Sequence, residues 1–203
     1  MSFPTQPAFI HHGDWDEESR KHPAMKWMEE YTKEWVDSRI WADNASPNDL
    51  HKSDFVIQKS DGVRREGVDK INSALGEVYG PFSAHKHRPT FFTCWYELSS
   101  VHHFLLAMTM TDWLRREEDG GWSMFGQAKL YVGFKDVEGT ITDPDGDKWS
   151  AVIEAAFRFW YVKDGSGKDG IKLQETRTYA DPMPAVGFML QKGIVSAKDL
   201  GLA

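Results

Sequence analysis

Two histidines, His85 and His87, stand two residues apart in the run AHKHRPTFFTCW. On a β-strand that spacing places both imidazoles on one face. Such a pair can chelate a divalent metal, or present one ring as a general base near neutral pH. It can also be a pair of satisfied or surface histidines. A metal needs a third ligand, and the sequence assigns none: His102 and His103 are adjacent and point to opposite faces. We therefore expect no metal and take His85 or His87 as the base. Elemental analysis would reverse that choice.

Further polar candidates come from parity along the other strand-like runs. In IKLQETRTY, alternation puts Ile171, Leu173, Glu175, Arg177 and Tyr179 on one, more apolar face. A charge there must be paired, so Glu175 and Arg177 read either as a structural ion pair or as a polar patch at a pocket end. Tyr31 and Trp35 share the apolar stripe of an early helix; in an open pocket Tyr31 could donate a hydrogen bond to a carbonyl. Asp112 interrupts a run rich in Met, Leu and Thr, where a buried carboxylate would have a raised pKa. Glu154, Arg158 and Trp160 alternate with the wholly apolar set Ile153, Ala155, Phe157, Phe159 and Tyr161. No GxGxxG, P-loop, GxSxG or HExxH motif occurs, so nucleotide cofactors, serine hydrolysis and zincin chemistry lack support. We expect no cofactor. Cys94, the one cysteine, lies between Thr93 and Trp95 and reads as buried.

These side chains need elements to hold them. Residues 1–22, with Pro4, Pro7, Gly13 and mixed charge, read as a flexible arm that Phe9, Ile10 and Trp15 could pin to a surface. Met28, Tyr31 and Trp35 then give helical spacing from Pro23 to Trp41. A short strand around Phe55–Gln58 and a turn at Asp61-Gly62 follow. Val68, Ile71, Leu75 and Val78 mark a second amphipathic helix, closed by Gly80-Pro81. After residue 84 the chain reads as strands: His85–Glu97, Val101–Arg116, Met124–Phe134, Ser150–Lys163 and Ile171–Tyr179. One or two helical turns follow around Val186–Leu190. Residues 117–149 are open, either an extra hairpin or a lid. Helices first and long antiparallel strands afterwards give an α+β domain over 23–203, with the helices on one face of a curved sheet.

The chain's 203 residues suit one domain, and 9 Trp, 12 Phe and 6 Tyr can fill a core without disulfide or metal staples. The formal charge of −7 argues against nucleic acid and anionic membrane as partners. The first 22 residues hold no apolar run of secretory type, and no stretch approaches membrane-spanning length, so a cytoplasmic setting is expected.

The order of these pieces resembles the nuclear transport factor 2-like superfamily, SnoaL-like branch. Three segments carry it: MKWMEEYTKEWVDSRIWADN, SDFVIQKSDGVRREGVDKINSAL and FRFWYVKDGSGKDGIKLQETRTYADP. The resemblance implies a cone-shaped antiparallel sheet wrapped around the helices, an apolar pocket inside, and frequent homodimers through the outer sheet face. It also implies an acid near the cone mouth, for which Asp54 is the candidate. Against scytalone dehydratases the catalytic positions match poorly. Their Tyr-Asp pair falls on Arg39 and Ile40, their second strand histidine near Thr111, and their Ser and Asn near Ala155 and Phe157. Only His85 or His87 has a counterpart. The expectation is therefore a lyase, isomerase or cyclase. It would act on a small apolar, cyclic or polyketide-like molecule, with His85, His87, Asp54 and Tyr31 as catalytic candidates. Trp35, Glu175, Arg177, Tyr179 and Asp112 would contact substrate. The alternative is a non-catalytic binding or dimerisation module.

Overall fold

The computed structural model describes residues 8–97, 120–199 and 201. The expected strand Val101–Arg116, with Asp112, His102 and His103, lies outside them. The described chain forms β1 (Phe9–His12), α1 (Pro23–Glu30), β2 (His51–Gln58), β3 (Arg64–Glu66) and α2 (Ile71–Tyr79). It continues with β4 (Ala84–Glu97), β5 (Gly121–Gly133), β6 (Ile141–Thr142), β7 (Lys148–Trp149), β8 (Ala151–Lys163), β9 (Ile171–Ala180) and α3 (Met183–Gln191). Seven strands form one sheet in the order β1-β4-β5-β8-β9-β2-β3. This is the α+β class expected from the order of the elements. It differs in one respect: β2 runs parallel to β9, so the sheet is mixed. Parallel neighbours need a long connection, and more than a hundred residues of chain separate these two. No helix among the described residues is long and apolar enough to cross a membrane.

Pro23 occupies the first turn of α1, where its missing N–H costs nothing. Ala24, Met25, Trp27 and Met28 are buried behind it. The expected single helix to Trp41 instead widens into a π-helical stretch over Tyr31–Asp37. Wider turns of this kind recur at functional sites. Here the stretch brings Tyr31, Thr32 and Val36 onto the wall of a hollow. Arg39 then takes a left-handed conformation (φ 61°), which ends the run.

Within the flexible arm expected over 1–22, Phe9–His12 form an edge strand. Phe9–His12 pair antiparallel with Phe91–Cys94. Phe9 and His11 stack on the fully buried Phe92, at 6.4 and 4.9 Å between ring centroids, and Trp15 meets it at 4.9 Å. Aromatic burial, not local propensity, holds this segment.

The segment 117–149 supplies a central strand, β5, and then the small β6–β7 ribbon. No described residue of 134–149 lines the hollow, so the ribbon is the hairpin alternative and not a lid. Its loop carries Asp143, Asp145 and Asp147, all three of which accept from Lys86 Nζ at 2.8, 2.7 and 3.0 Å. That hold fixes Lys86 to the outer face of β4. His85 and His87 therefore turn toward the helices.

Candidate active site

Between α1, α2 and the concave face of the sheet lies a hollow with a cavity volume of about 80 Å³. Most of its wall is apolar, including Phe55, Phe92, Met124, Phe157 and Phe159. His87, Tyr79, Tyr31, Thr176 and Thr178 bring polar groups to it.

The first helix reaches across the sheet through Asp37. Its Oδ1 accepts from His87 Nδ1 at 2.6 Å, and its Oδ2 accepts from the His87 backbone N–H at 3.0 Å. Both side chains are largely buried, 8% exposed for His87 and 14% for Asp37. With Nδ1 protonated toward Asp37, His87 Nε2 carries the lone pair. The Tyr79 hydroxyl lies 3.2 Å from it and donates to it. The result is a line of groups, Asp37–His87–Tyr79, that ends in the hollow. A carboxylate that fixes the tautomer and supports a transient imidazolium makes the ring an effective base.

His85 is not equivalent to its neighbour. Its side chain is fully buried, stacked face to face on Tyr79 at 4.4 Å. Burial, with a smaller contribution from His87, pushes its pKa down to about 4, against the pull of Asp37. The ring is therefore neutral at pH 7. Neither of its nitrogens makes a well-formed hydrogen bond among the described residues: the Val36 carbonyl acts on the ring only weakly, and Asp37 Oδ1 stands 3.7 Å from Nε2. His85 does not line the hollow, so of the two strand histidines only His87 reaches it. Asp37, His85 and His87 can each turn one donor atom to a common point, all within 4.8 Å of one another. Two imidazoles and a carboxylate are a donor set suited to zinc-like ions. Asp37 is thus a candidate third donor that spacing alone did not supply.

The other candidates are redistributed. Tyr31 lines the hollow, and its hydroxyl lies 3.1 Å from His51 Nε2. Trp35 is buried but packs edge-on against His51 at 6.3 Å, away from the hollow. Asp54 is exposed on the outside and accepts from Gln174 Nε2 at 3.2 Å. The cause is an irregular register between His51 and Val56 that turns Ser53 and Asp54 outward together. Glu175, Arg177 and Tyr179 also lie on the outer face. Glu175 and Arg177 form an ion pair at 2.6 Å, and Arg177 stacks at 5.1 Å over Trp160, whose ring also carries Arg158 at 3.8 Å. Tyr179 is 50% exposed.

One bulge explains all three. Trp160 pairs with Glu175 while Tyr161 pairs with Leu173, which leaves Gln174 as an extra residue. An extra residue reverses strand parity beyond it. Thr176 and Thr178 take the inward positions that alternation gave to Glu175 and Arg177. A similar bulge between Pro89 and Phe91 keeps β4 apolar on its inner face past the histidines.

Three further residues, Asp37, Tyr79 and His51, were not among the sequence candidates. Tyr79 was within reach: Ile71, Leu75 and Tyr79 stand at i, i+4 and i+8 on the buried face of α2. Asp37 was not, because a widened helical turn has no sequence signature. Asp37 stands three residues before Ile40, the position where the resemblance set its acid. Cys94 is buried, which pushes its thiol up to about 12 and leaves it inert.

No family model and no curated protein matches the chain. Solved structures similar to it include ActVI-ORFA from Streptomyces coelicolor, 13% identical over 78% of this chain and 94% of that one, at a TM-score of 0.45. The Kfla4162 protein from Kribbella flavida is 15% identical over 82% and 93%, at 0.48. An M. tuberculosis LEH-like epoxide hydrolase is 9% identical over 87% and 94%, at 0.41. At these scores the likenesses carry no reaction across.

Proposed function

We propose that this chain is a small-molecule enzyme of the lyase, isomerase or cyclase kind, with His87 as general base and Asp37 as the group that orients it. The observation that supports this most is the Asp37–His87–Tyr79 line opening into an apolar hollow. The occupant is a small, largely apolar organic molecule carrying an acidic C–H beside a carbonyl. His87 Nε2 takes that proton, directly or through the Tyr79 hydroxyl, and the electron pair moves onto the carbonyl oxygen as an enolate. The apolar surroundings strengthen hydrogen bonds to that oxygen, and Thr176 or Thr178 can donate one. Expulsion of a β-hydroxyl as water completes a dehydration; return of the proton at another carbon completes an isomerisation. The residues present supply acid and base without a cofactor. A second copy of the chain against the outer sheet face, around Trp160, belongs to the same reading. Light scattering of the purified protein tests it: a monomer mass removes the dimer.

The test of chemistry is mass spectrometry of a metabolite extract incubated with wild type, His87→Ala and Asp37→Asn. A compound consumed by wild type and spared by His87→Ala, with melting temperatures within a few degrees, is the expected result. A compound retained but unchanged by wild type makes the protein a binding module.

One observation favours a second reading, in which the same three residues hold a metal: the fully buried side chain of His85, neither nitrogen of which makes a well-formed hydrogen bond. An imidazole left so costs about 1–3 kcal/mol unless something uses it. Elemental analysis decides it, since the metal reading requires a stoichiometric divalent ion that is lost in His85→Phe.

A further inference from the structure

The hollow has a second histidine–tyrosine pair, on its α1 side, that the base does not use. His51 is 1% exposed. Its Nδ1 lies 3.0 Å from the Pro47 carbonyl oxygen, and its Nε2 lies 3.1 Å from the Tyr31 hydroxyl. A carbonyl oxygen only accepts, so the Nδ1 hydrogen is fixed there. Burial pushes the His51 pKa down to about 4, so the ring is neutral at pH 7 and Nε2 holds a bare lone pair. The Tyr31 hydroxyl has a single hydrogen, and that hydrogen is committed to Nε2. What remains on the Tyr31 oxygen is a lone pair, on a residue that lines the hollow. Trp27 stacks on the Tyr31 ring at 5.1 Å, and Phe55 packs edge-on against His51 at 4.7 Å, so neither ring is free to reorient.

We propose that Tyr31 meets the occupant of the hollow as a hydrogen-bond acceptor, so that the site selects molecules bringing a hydroxyl donor to this wall over those bringing only a carbonyl. His51 is the positioning residue that imposes the choice. This reverses the role of carbonyl donor expected for Tyr31 from sequence. It rests on the reading of the hollow as a ligand site and narrows its substrate to hydroxyl-bearing carbonyl compounds.

The probes are 2-tetralol and 2-tetralone, which share a skeleton and differ in bearing an alcohol or a ketone. Isothermal titration should give wild type an alcohol-over-ketone preference of about three- to tenfold, the range of one neutral hydrogen bond. Tyr31→Phe should abolish that preference by weakening the alcohol alone. His51→Leu should shift the ratio toward the ketone, because the Tyr31 hydrogen is released to turn into the hollow. Should His51→Leu not fold, Tyr31→Phe carries the test, since it removes one oxygen from an otherwise unchanged ring. Nitrogen-15 NMR of the histidines should also show one ring protonated at Nδ1 alone across neutral pH and changed by Tyr31→Phe. Both probes binding wild type, Tyr31→Phe and His51→Leu at one constant ratio overturns the proposal and leaves the ligand site standing. Neither probe binding wild type removes the ligand site and the proposal together.

Discussion

At the residue scale, chemistry is decided by which polar groups are oriented, not by which are present. Asp37 holds His87 through both its ring and its backbone, so it sets tautomer and direction together. Asn at position 37 keeps the shape and can still accept at one atom, but it brings neither the charge nor a second acceptor. Asp37→Asn is therefore expected to lower turnover by about 10²–10⁴-fold, the span of general-base effects, with binding of the occupant little changed. Single-turnover kinetics beside titration calorimetry separates the two. Equal losses in affinity and turnover would make Asp37 a structural residue. His85→Phe keeps the stack on Tyr79 and should retain turnover within a few-fold, since His85 does not reach the hollow.

At the element scale, one unpaired residue in β9 decides which chemistry the last strand offers. Gln174 is the extra residue, and past it the threonines face inward. Replacing its side chain should matter little: Gln174→Ala loses one exposed hydrogen bond to Asp54 and should stay within about 0.5 kcal/mol. Deleting the residue removes the bulge and leaves Glu175 opposite Trp160, with Thr176 and Thr178 still facing inward. The deletion is therefore expected to fold, with a melting temperature within a few degrees of that of Gln174→Ala. Circular dichroism melts of the two variants check this, and a deletion variant that fails to fold would refute the bulge.

At the scale of the whole molecule, the two buried histidines tie stability to pH. His51 and His85 are both held near 4 by burial, below the ordinary value of about 6.5. An unfolded chain therefore binds more protons than the folded one between those values. The stability that this contributes is complete above pH 6.5 and is lost as pH falls toward 4. Urea midpoints should decline from pH 7 to pH 4.5 with uptake of up to two protons beyond the contribution of the carboxylates. His85→Phe should remove one proton from that uptake. An unchanged pH slope in the variant would mean that His85 is not buried neutral.

The elements that periodicity could reach were legible in the residues themselves. Helical spacing placed α1 and α2, alternation gave β8 one wholly apolar face, and the HxH spacing put both histidines on one side of β4. Those features depend on neighbours a few positions away. The site depends on contacts across the fold. Asp37 finds His87 fifty residues later, Tyr31 finds His51 twenty residues later, and the widened turn and the β9 bulge that aim them leave no periodic trace. The sequence by itself determined an aromatic-rich α+β chain with ionisable groups near a hollow. Tertiary structure alone chose His87 over His85, exchanged Glu175 and Arg177 for two threonines, and turned Phe9–His12 into an edge strand. The physical reason is that local pattern sets which face is apolar, while pairing register and long-range packing set which polar group is carried through that face.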